Sequence, residues 1–167
     1  MKYLQKKFLS GFTVLEVVIA IGILFLILGS SVLFLGSSPQ VDLALKDESF
    51  RIENTLRTAR YKALIGEETD WGVYFSNLSQ FRPFYAVFKG SSWNENLAEN
   101  KKILDSNLFF NVPTSGTTSL VVFERLTGNL KNASSVIIEI RAKKSPLFGK
   151  RIYVNQIGGI EVQDISP

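Results

Sequence analysis

The 167-residue sequence contains no cysteine and no histidine. Without cysteine the protein forms no disulfide bonds and has neither a thiol nucleophile nor a thiolate metal ligand. Without histidine it lacks the side chain that most often acts as a general base near neutral pH and that commonly binds zinc. Phosphate-binding loops of the Gly-Lys-Ser/Thr type and Gly-x-Ser-x-Gly nucleophile elbows are absent too. We therefore expect no catalytic site, no metal ion and no cofactor.

The acidic residues offer no clear metal site either. Asp70, Asp105 and Glu124 could pair with cations or bind calcium, but their spacing matches no calcium-binding loop. We expect these three carboxylates to be solvated charges at the protein surface.

The net positive charge is small outside the N-terminus. The sequence has 19 Lys and Arg against 15 Asp and Glu, a formal net charge of +4. Lys2, Lys6 and Lys7 lie in the first 11 residues, so the rest of the chain is close to neutral. The basic balance is therefore no general sign of nucleic-acid binding.

A long apolar segment, residues 12–35, follows this basic leader and contains a single charge, Glu16. At about 1.5 Å per residue, such a helix would be about 36 Å long and would exceed the roughly 30 Å hydrocarbon core of a membrane. The lysines before it favour a cytoplasmic N-terminus. The sequence predicts a single-pass membrane anchor, in contact with lipid, with an external C-terminal domain.

Two simpler interpretations were compared with this one. A removed secretory signal peptide usually has an apolar core of about 7–15 residues, which is shorter than this segment. The only small residues at the end of this segment that could form a cleavage site, residues 36–38, are followed by Pro39, a poor first residue after a peptidase cut. A plain membrane anchor accounts for the apolar length and is the second alternative.

Residues 11–20, Gly-Phe-Thr-Val-Leu-Glu-Val-Val-Ile-Ala, join the leader to the apolar segment. They resemble the type III signal of type IV prepilins and pseudopilins, with Gly, an aromatic residue and Glu at fixed offsets. The resemblance implies that a prepilin peptidase, a membrane aspartyl protease, cuts between Gly11 and Phe12 and that Phe12 is then N-methylated. It also implies that Glu16 pairs with the freed amine of a neighbouring subunit, and that an inner-membrane platform adds the chain to a filament of other pilins or pseudopilins.

Physical chemistry supports two of these positions independently. Gly11 has no Cβ, so the chain there can lie extended and close to a protease cleft. Glu16 is an ionisable group in an apolar helix, which costs a few kcal/mol near the bilayer centre and indicates a functional role by default. It lies only about 6 Å along the helix from Phe12. A Glu tolerated at the membrane interface is therefore the alternative.

Gly22, Gly29 and Gly36 recur every seven residues and are candidates for close helix packing. The alternative is that glycine is simply common in membrane helices. Pro39 comes next, and because it lacks an amide donor we expect it to break or kink the helix.

A second, amphipathic helix is predicted from residue 41 to residue 65, with Gly66 as its stop signal. Its apolar residues recur at helical spacing and are expected to pack on the domain that follows: Leu45, Ile52, Leu56, Ala59 and Ala63. The predicted organisation is a leader at 1–11, a transmembrane helix at 12–38, an amphipathic helix at 39–66 and an external β domain at 67–167. The predicted fold class is α+β, with a long N-terminal helix packed on a C-terminal antiparallel β-sheet domain, which is the pilin fold.

Strands are predicted where short apolar runs alternate with Gly, Pro, Asn and Ser clusters. They are residues 71–75, 84–89, 120–123, 136–141, 151–154 and 160–162. Gly158-Gly159 favours a hairpin between the last two. Residues 91–102 and 113–119 are predicted to be exposed polar loops. The aromatic residues are expected to form core and cross-strand pairs rather than a ligand site: Trp71, Tyr74, Phe75, Phe84, Tyr85, Phe88 and Phe123.

Two further segments suggest a branch of the superfamily. Residues 56–64 and the run from 122 to 160 are similar to the H-type minor pseudopilins of type II secretion and the related minor pilins, often called GspH/FimT. The resemblance implies a structural subunit of a type II secretion pseudopilus or of a type IV pilus.

One basic cluster keeps a second function open. Five cations fall in 11 residues around a Ser-Pro turn: Arg141, Lys143, Lys144, Lys150 and Arg151. Such a patch can bind phosphate backbones, and some minor pilins of this branch take up DNA through basic C-terminal loops. Their Arg-rich signature is not reproduced here, and a solvated hairpin end explains the cluster without DNA. A third hypothesis is a membrane-anchored binding domain that never assembles.

Overall fold

The computed structural model describes residues 13–34, 39–66, 69–131 and 133–166. The chain divides into two compact units, Met1–Ser38 and Pro39–Pro167. The predicted leader, the Gly11-Phe12 junction and Gly36 lie outside the described residues. Within the part of the chain that the structure describes, no helix is both long and apolar enough to cross a membrane.

The first unit contains helix α1, Val14–Phe34. The helix is preceded by Thr13, whose hydroxyl and carbonyl both accept from the amide of Glu16, at 3.3 Å and 3.0 Å. This arrangement satisfies an amide that the first helical turn leaves unpaired. Nine large apolar side chains between residues 14 and 25 are 46–81% exposed. The described part of α1 is therefore apolar on all sides and uncovered.

The second unit begins with helix α2, Pro39–Leu64. Proline suits a first helical position because its missing amide has no partner there in any case. Gly66 has φ +74°, and its amide donates to the carbonyl of Ala63, so a left-handed glycine ends the helix. The predicted apolar stripe is buried, each member being 0–3% exposed: Leu45, Ile52, Leu56, Ala59 and Ala63.

Eight strands follow, in two antiparallel sheets. They are β1 Trp71–Ser76, β2 Phe84–Lys89, β3 Ala98–Ile103, β4 Leu108–Val112, β5 Thr118–Phe123, β6 Ser135–Ala142, β7 Gly149–Asn155 and β8 Ile160–Ile165. The first sheet has the order β3-β2-β1-β5 and the second has the order β4-β6-β7-β8. The α+β class and the antiparallel sheets agree with the sequence prediction.

All six predicted strands are present, and the predicted hairpin joins β7 to β8 with Val154 opposite Ile160. Two strands were not predicted. β3 overlaps the segment predicted to be a polar loop. It was missed because its sequence, Ala-Glu-Asn-Lys-Lys-Ile, has no alternating apolar pattern and instead carries charges of the kind that protect an exposed sheet edge. β4 is a five-residue apolar run at the edge of the second sheet.

The core lies between α2 and the inner faces of both sheets. Phe75 sits at its centre, stacked on Tyr85 at 6.0 Å and edge-on to Phe110 at 5.9 Å between ring centroids. Each fully buried side chain of this size contributes about 1.5–3 kcal/mol relative to exposure. Five of the seven aromatic residues predicted as core are 0–2% exposed. Trp71, Phe75, Tyr85 and Phe123 belong to this core, whereas Phe88 is buried on the outer face of the first sheet, edge-on to Trp93 at 5.7 Å.

The other two, Tyr74 and Phe84, are partly exposed on the outer face of the first sheet. Trp93 from the β2–β3 connection covers them and stacks on the Tyr74 ring at 4.1 Å. Together these rings form a small second apolar cluster, so they also serve packing, as predicted.

Candidate functional site

The predicted assembly residue, Glu16, lies in the first turn of α1. It shares one face of the helix with Ala20 and Leu24, which follow at intervals of four residues. Its carboxylate has no hydrogen-bond or ion-pair partner among the described residues. Its side chain is therefore available to a cation from outside the described residues.

The predicted packing glycines lie partly in the same helix. At Gly22 an added Cβ would meet no atom within 4 Å, so another backbone could approach closely there. Gly29 belongs to α1, and Gly36 is outside the described residues.

The predicted nucleic-acid cluster is located at one end of the second sheet, and Glu139 on β6 lies among its cations. Because Ile138 and Ile140 point into the core, Glu139 is on the outer face. It is nevertheless 3% exposed. Its two oxygens accept from Arg141 Nε at 2.7 Å and from Arg151 Nη2 at 3.1 Å.

The environment of Glu139 keeps this carboxylate ionised. Burial alone would raise its pKa, but the hydrogen bonds from Arg141, Arg151 and Asn111 outweigh burial and lower it. The Asn111 amide completes the set at 2.7 Å. Two of the five predicted nucleic-acid contacts, Arg141 and Arg151, are thereby engaged within the protein and share the single negative charge of Glu139.

A third predicted contact, Lys150, forms an ion pair with Asp164 on β8. Of the five, only Lys143 and Lys144 are exposed and have no ion-pair partner among the residues that the structure describes. Stable phosphate-backbone binding relies on many such contacts, often six to ten. The arrangement therefore favours the hairpin-end interpretation over a DNA-binding patch.

The prediction that Asp70 is a solvated surface charge is wrong. Asp70 is 8% exposed and accepts from Lys131 Nζ at 2.6 Å, Ser91 Oγ at 2.7 Å and the Arg125 amide at 2.9 Å. Its partners lie 21 to 61 residues away in sequence, so local spacing gives no signal for this site. The other two carboxylates, Asp105 and Glu124, are exposed as predicted.

A second buried carboxyl, Glu48 on α2, was also missed. It is 4% exposed and accepts from the Tyr85 hydroxyl at 3.0 Å. A signal was present, because Glu48 stands three residues after Leu45 and four before Ile52 on the buried stripe. Among the described residues, no group of three or more acidic side chains could hold a metal ion.

Comparison with known proteins gives one informative result. No family model matches the sequence, and no curated protein matches it. The crystal structure of the type IV minor pilin FimU from Pseudomonas aeruginosa strain PAO1 is similar, with a TM-score of 0.53 over 71% of this chain and 92% of that chain. The sequences are 12% identical. At that identity the likeness establishes the fold, which is that of a type IV minor pilin.

Proposed function

We propose that this protein is a minor pilin or pseudopilin, a structural subunit that assembles through its N-terminal helix. The observation that carries the proposal is the likeness of the fold to that of the type IV minor pilin FimU over 71% of the chain. The uncovered apolar surface of α1 adds to it, because such a surface is stable in lipid or against other apolar helices rather than in water.

In this proposal the chain is first inserted once in the bacterial cytoplasmic membrane, with its N-terminus in the cytoplasm and the unit Pro39–Pro167 outside. A prepilin peptidase then removes the leader between Gly11 and Phe12, and Phe12 is N-methylated. The assembly platform transfers the subunit to an envelope filament of other pilins. The basic leader, the Gly-Phe junction and the apolar segment after it support this sequence of events.

Glu16 has a defined role in assembly. A carboxylate in an apolar helix is stabilised when a cation neutralises it, and the freed amine of a neighbouring Phe12 would be such a cation. Gly22, Gly29 and Gly36 would let neighbouring helices approach closely enough for this contact. The pair would set the axial position of one subunit against the next.

The subunit belongs, in this proposal, to the H-type branch and serves a type II secretion pseudopilus or a type IV pilus. It acts by shape and contact and carries out no chemical reaction. The lack of histidine and cysteine is consistent with this role.

The test is Glu16→Ala in the full chain, produced in a bacterium that has a prepilin peptidase and a filament system. We expect normal insertion and cleavage but reduced incorporation into sheared filaments on an immunoblot, because the apolar contacts remain and only the ion pair is lost. Glu161→Ala, at an exposed carboxylate on β8, is the matched control and should be incorporated like the unchanged protein. Normal incorporation of Glu16→Ala would exclude the assembly role of Glu16.

A further inference from the structure

The connection between β6 and β7 combines positive charge with exposed apolar side chains. We call residues 143–148, Lys-Lys-Ser-Pro-Leu-Phe, the basic-apolar tip. Leu147 is 62% exposed and Phe148 is 46% exposed. Single exposed apolar residues are ordinary, but two adjacent ones beside the unpaired Lys143 and Lys144 form an amphipathic surface.

Hydrogen bonds hold this tip in a defined turn. The Ser145 amide donates to the Ala142 carbonyl at 3.3 Å, and the Phe148 amide donates to the Ser145 carbonyl at 3.0 Å. Arg141 Nη1 donates to the Pro146 carbonyl at 2.7 Å. These hydrogen bonds hold the backbone of the turn in place, and the side chains of Leu147 and Phe148 remain exposed to solvent.

The charge at the tip is limited to its outermost residues. Below it, Arg141 and Arg151 share the single negative charge of Glu139, and Lys150 pairs with Asp164. The two lysines without an ion-pair partner lie beside an apolar pair, a combination that matches a lipid surface with anionic headgroups above an apolar layer.

The position of the tip within the second unit favours the same partner. The Lys143 amide donates to the Asn107 carbonyl at 2.9 Å. The neighbouring Asp105 and Ser106 line a polar cavity together with residues of the first half of α2, among them Ala44 and Glu48. The tip is thus tied to the part of the unit where α2 begins.

The opposite end of the same sheet is tied to the end of α2. There, the Ile157 carbonyl in the β7–β8 turn accepts from Arg60 Nη2 at 3.1 Å. Ile157 is 67% exposed, about as exposed as Leu147. It therefore provides a matched apolar position at the other end of the domain.

We propose that the basic-apolar tip docks on the anionic surface of the membrane while the chain is anchored there. The inference rests on the proposed function, in which the apolar segment, residues 12–35, anchors the chain in the membrane. Only four residues lie between Phe34 and Pro39 in the sequence, so α2 follows the proposed anchor directly in the chain. Leu147 and Phe148 enter the headgroup boundary, and Lys143 and Lys144 contact lipid phosphates. Docking holds the external domain against the membrane before assembly.

The test uses the full chain in nanodiscs that contain quencher-labelled lipid. Because the sequence has no cysteine, Leu147→Cys places a fluorescent label at one site, and Ile157→Cys gives the matched control. We expect quenching at residue 147 in discs with one third phosphatidylglycerol, much less in discs of phosphatidylcholine alone, and none at residue 157. Equal quenching at the two sites, or none at residue 147, would overturn the inference.

Charge removal tests the role of the lysines. Lys143→Ala and Lys144→Ala, introduced separately into the labelled chain, should each lower the ratio of docked to undocked label about fivefold in anionic discs. An unchanged ratio in both would contradict the proposed lipid contact. Displacement of the label from lipid by duplex DNA at physiological salt would instead assign the tip to nucleic acid.

A third label separates failure of this inference from failure of the proposed function. Leu24→Cys lies in α1 and should be quenched deep in the bilayer. If that label is in lipid and the one at residue 147 is not, only the docking is wrong. If the label at residue 24 is outside the bilayer, the membrane anchor of the proposed function is wrong, and the docking inference fails with it.

Discussion

At the scale of single residues, Asp70 joins three separate segments. Its carboxylate receives donors from Ser91, Arg125 and Lys131, and so connects the start of β1 to two later loops. Burial alone would raise its pKa, but the hydrogen bonds from Lys131, Ser91 and the Arg125 amide lower it to about 2. The ionised form is therefore part of the folded structure.

Asp70→Asn should destabilise the domain at neutral pH. A pKa lowered from 3.8 to about 2 corresponds to roughly 2 kcal/mol, and this stability is present above pH 4 and lost as the pH falls toward 2. Urea unfolding followed by tryptophan fluorescence in detergent checks this, and the difference from the unchanged protein should shrink on acidification. Asp164→Asn removes an exposed ion pair and should change stability by less than about 1 kcal/mol. Equal effects of the two substitutions would contradict the assignment.

Glu48 shows the opposite behaviour. Burial raises its pKa, only partly offset by the Tyr85 hydrogen bond, while Asp47 and Asp105 add repulsion and Arg51 adds attraction. The folded state therefore favours the neutral carboxyl. The neutral Glu48 carboxyl therefore contributes its full stability below the unfolded pKa near 4.5, and this stability is lost as the pH rises through the higher pKa of the folded state.

Glu48→Gln should consequently stabilise the protein at pH 7 more than at pH 4. The amide oxygen can still accept from Tyr85, and no charge has to be buried. Urea unfolding at the two pH values measures the difference. The exposed control Glu161→Gln should change stability by less than about 0.5 kcal/mol, and a Glu48→Gln variant less stable at pH 7 would refute the argument.

At the scale of elements, the periodic segments could be predicted and the irregular ones could not. The stripe of α2 recurs at helical spacing because it faces one core, and all five predicted members are buried. β3 has no such pattern, because an edge strand is specified by its neighbour β2 and by charges that block further pairing. The contacts of Asp70 and Glu139 depend on chain segments brought together only by folding.

The β7–β8 turn likewise has one feature that the sequence predicts and one that depends on a contact made only by folding. The Gly158-Gly159 hairpin was predicted from turn chemistry, and Gly158 has φ +75°. The second reason for glycine there was not predictable. An added Cβ would lie 2.1 Å from the Gly128 carbonyl oxygen of a different loop.

Gly158→Ala should therefore lower the free energy of unfolding by more than the strain of a left-handed backbone alone would. We expect a loss of at least about 3 kcal/mol in the free energy of unfolding, from backbone strain and the clash with backbone. The control is Gly116→Ala, which has φ +82° and open space around the added Cβ, and which should cost about 1–2 kcal/mol. Similar losses for both variants would show that the Gly128 contact adds nothing.

At the scale of the whole molecule, two independent observations support one function. The N-terminal motif suggests a pilin by its residues, although Gly11 and Phe12 lie outside the described part of the chain. The fold is similar to that of a type IV minor pilin over 71% of the chain, at only 12% identity. The fold class could be predicted because the helix and most strands have clear periodicity. The H-type branch stays a prediction, since so distant a likeness establishes the fold alone.

The most direct test of the central claim is the intact mass of the full chain after co-expression with a prepilin peptidase. The account predicts loss of residues 1–11 and Phe12 as the new N-terminus. Gly11→Val should block this cut, because a branched side chain hinders extended binding in the protease. Gly22→Val, at an open position in α1, should leave the cut unchanged. A chain that keeps Met1, or one that begins at Pro39, would contradict the account.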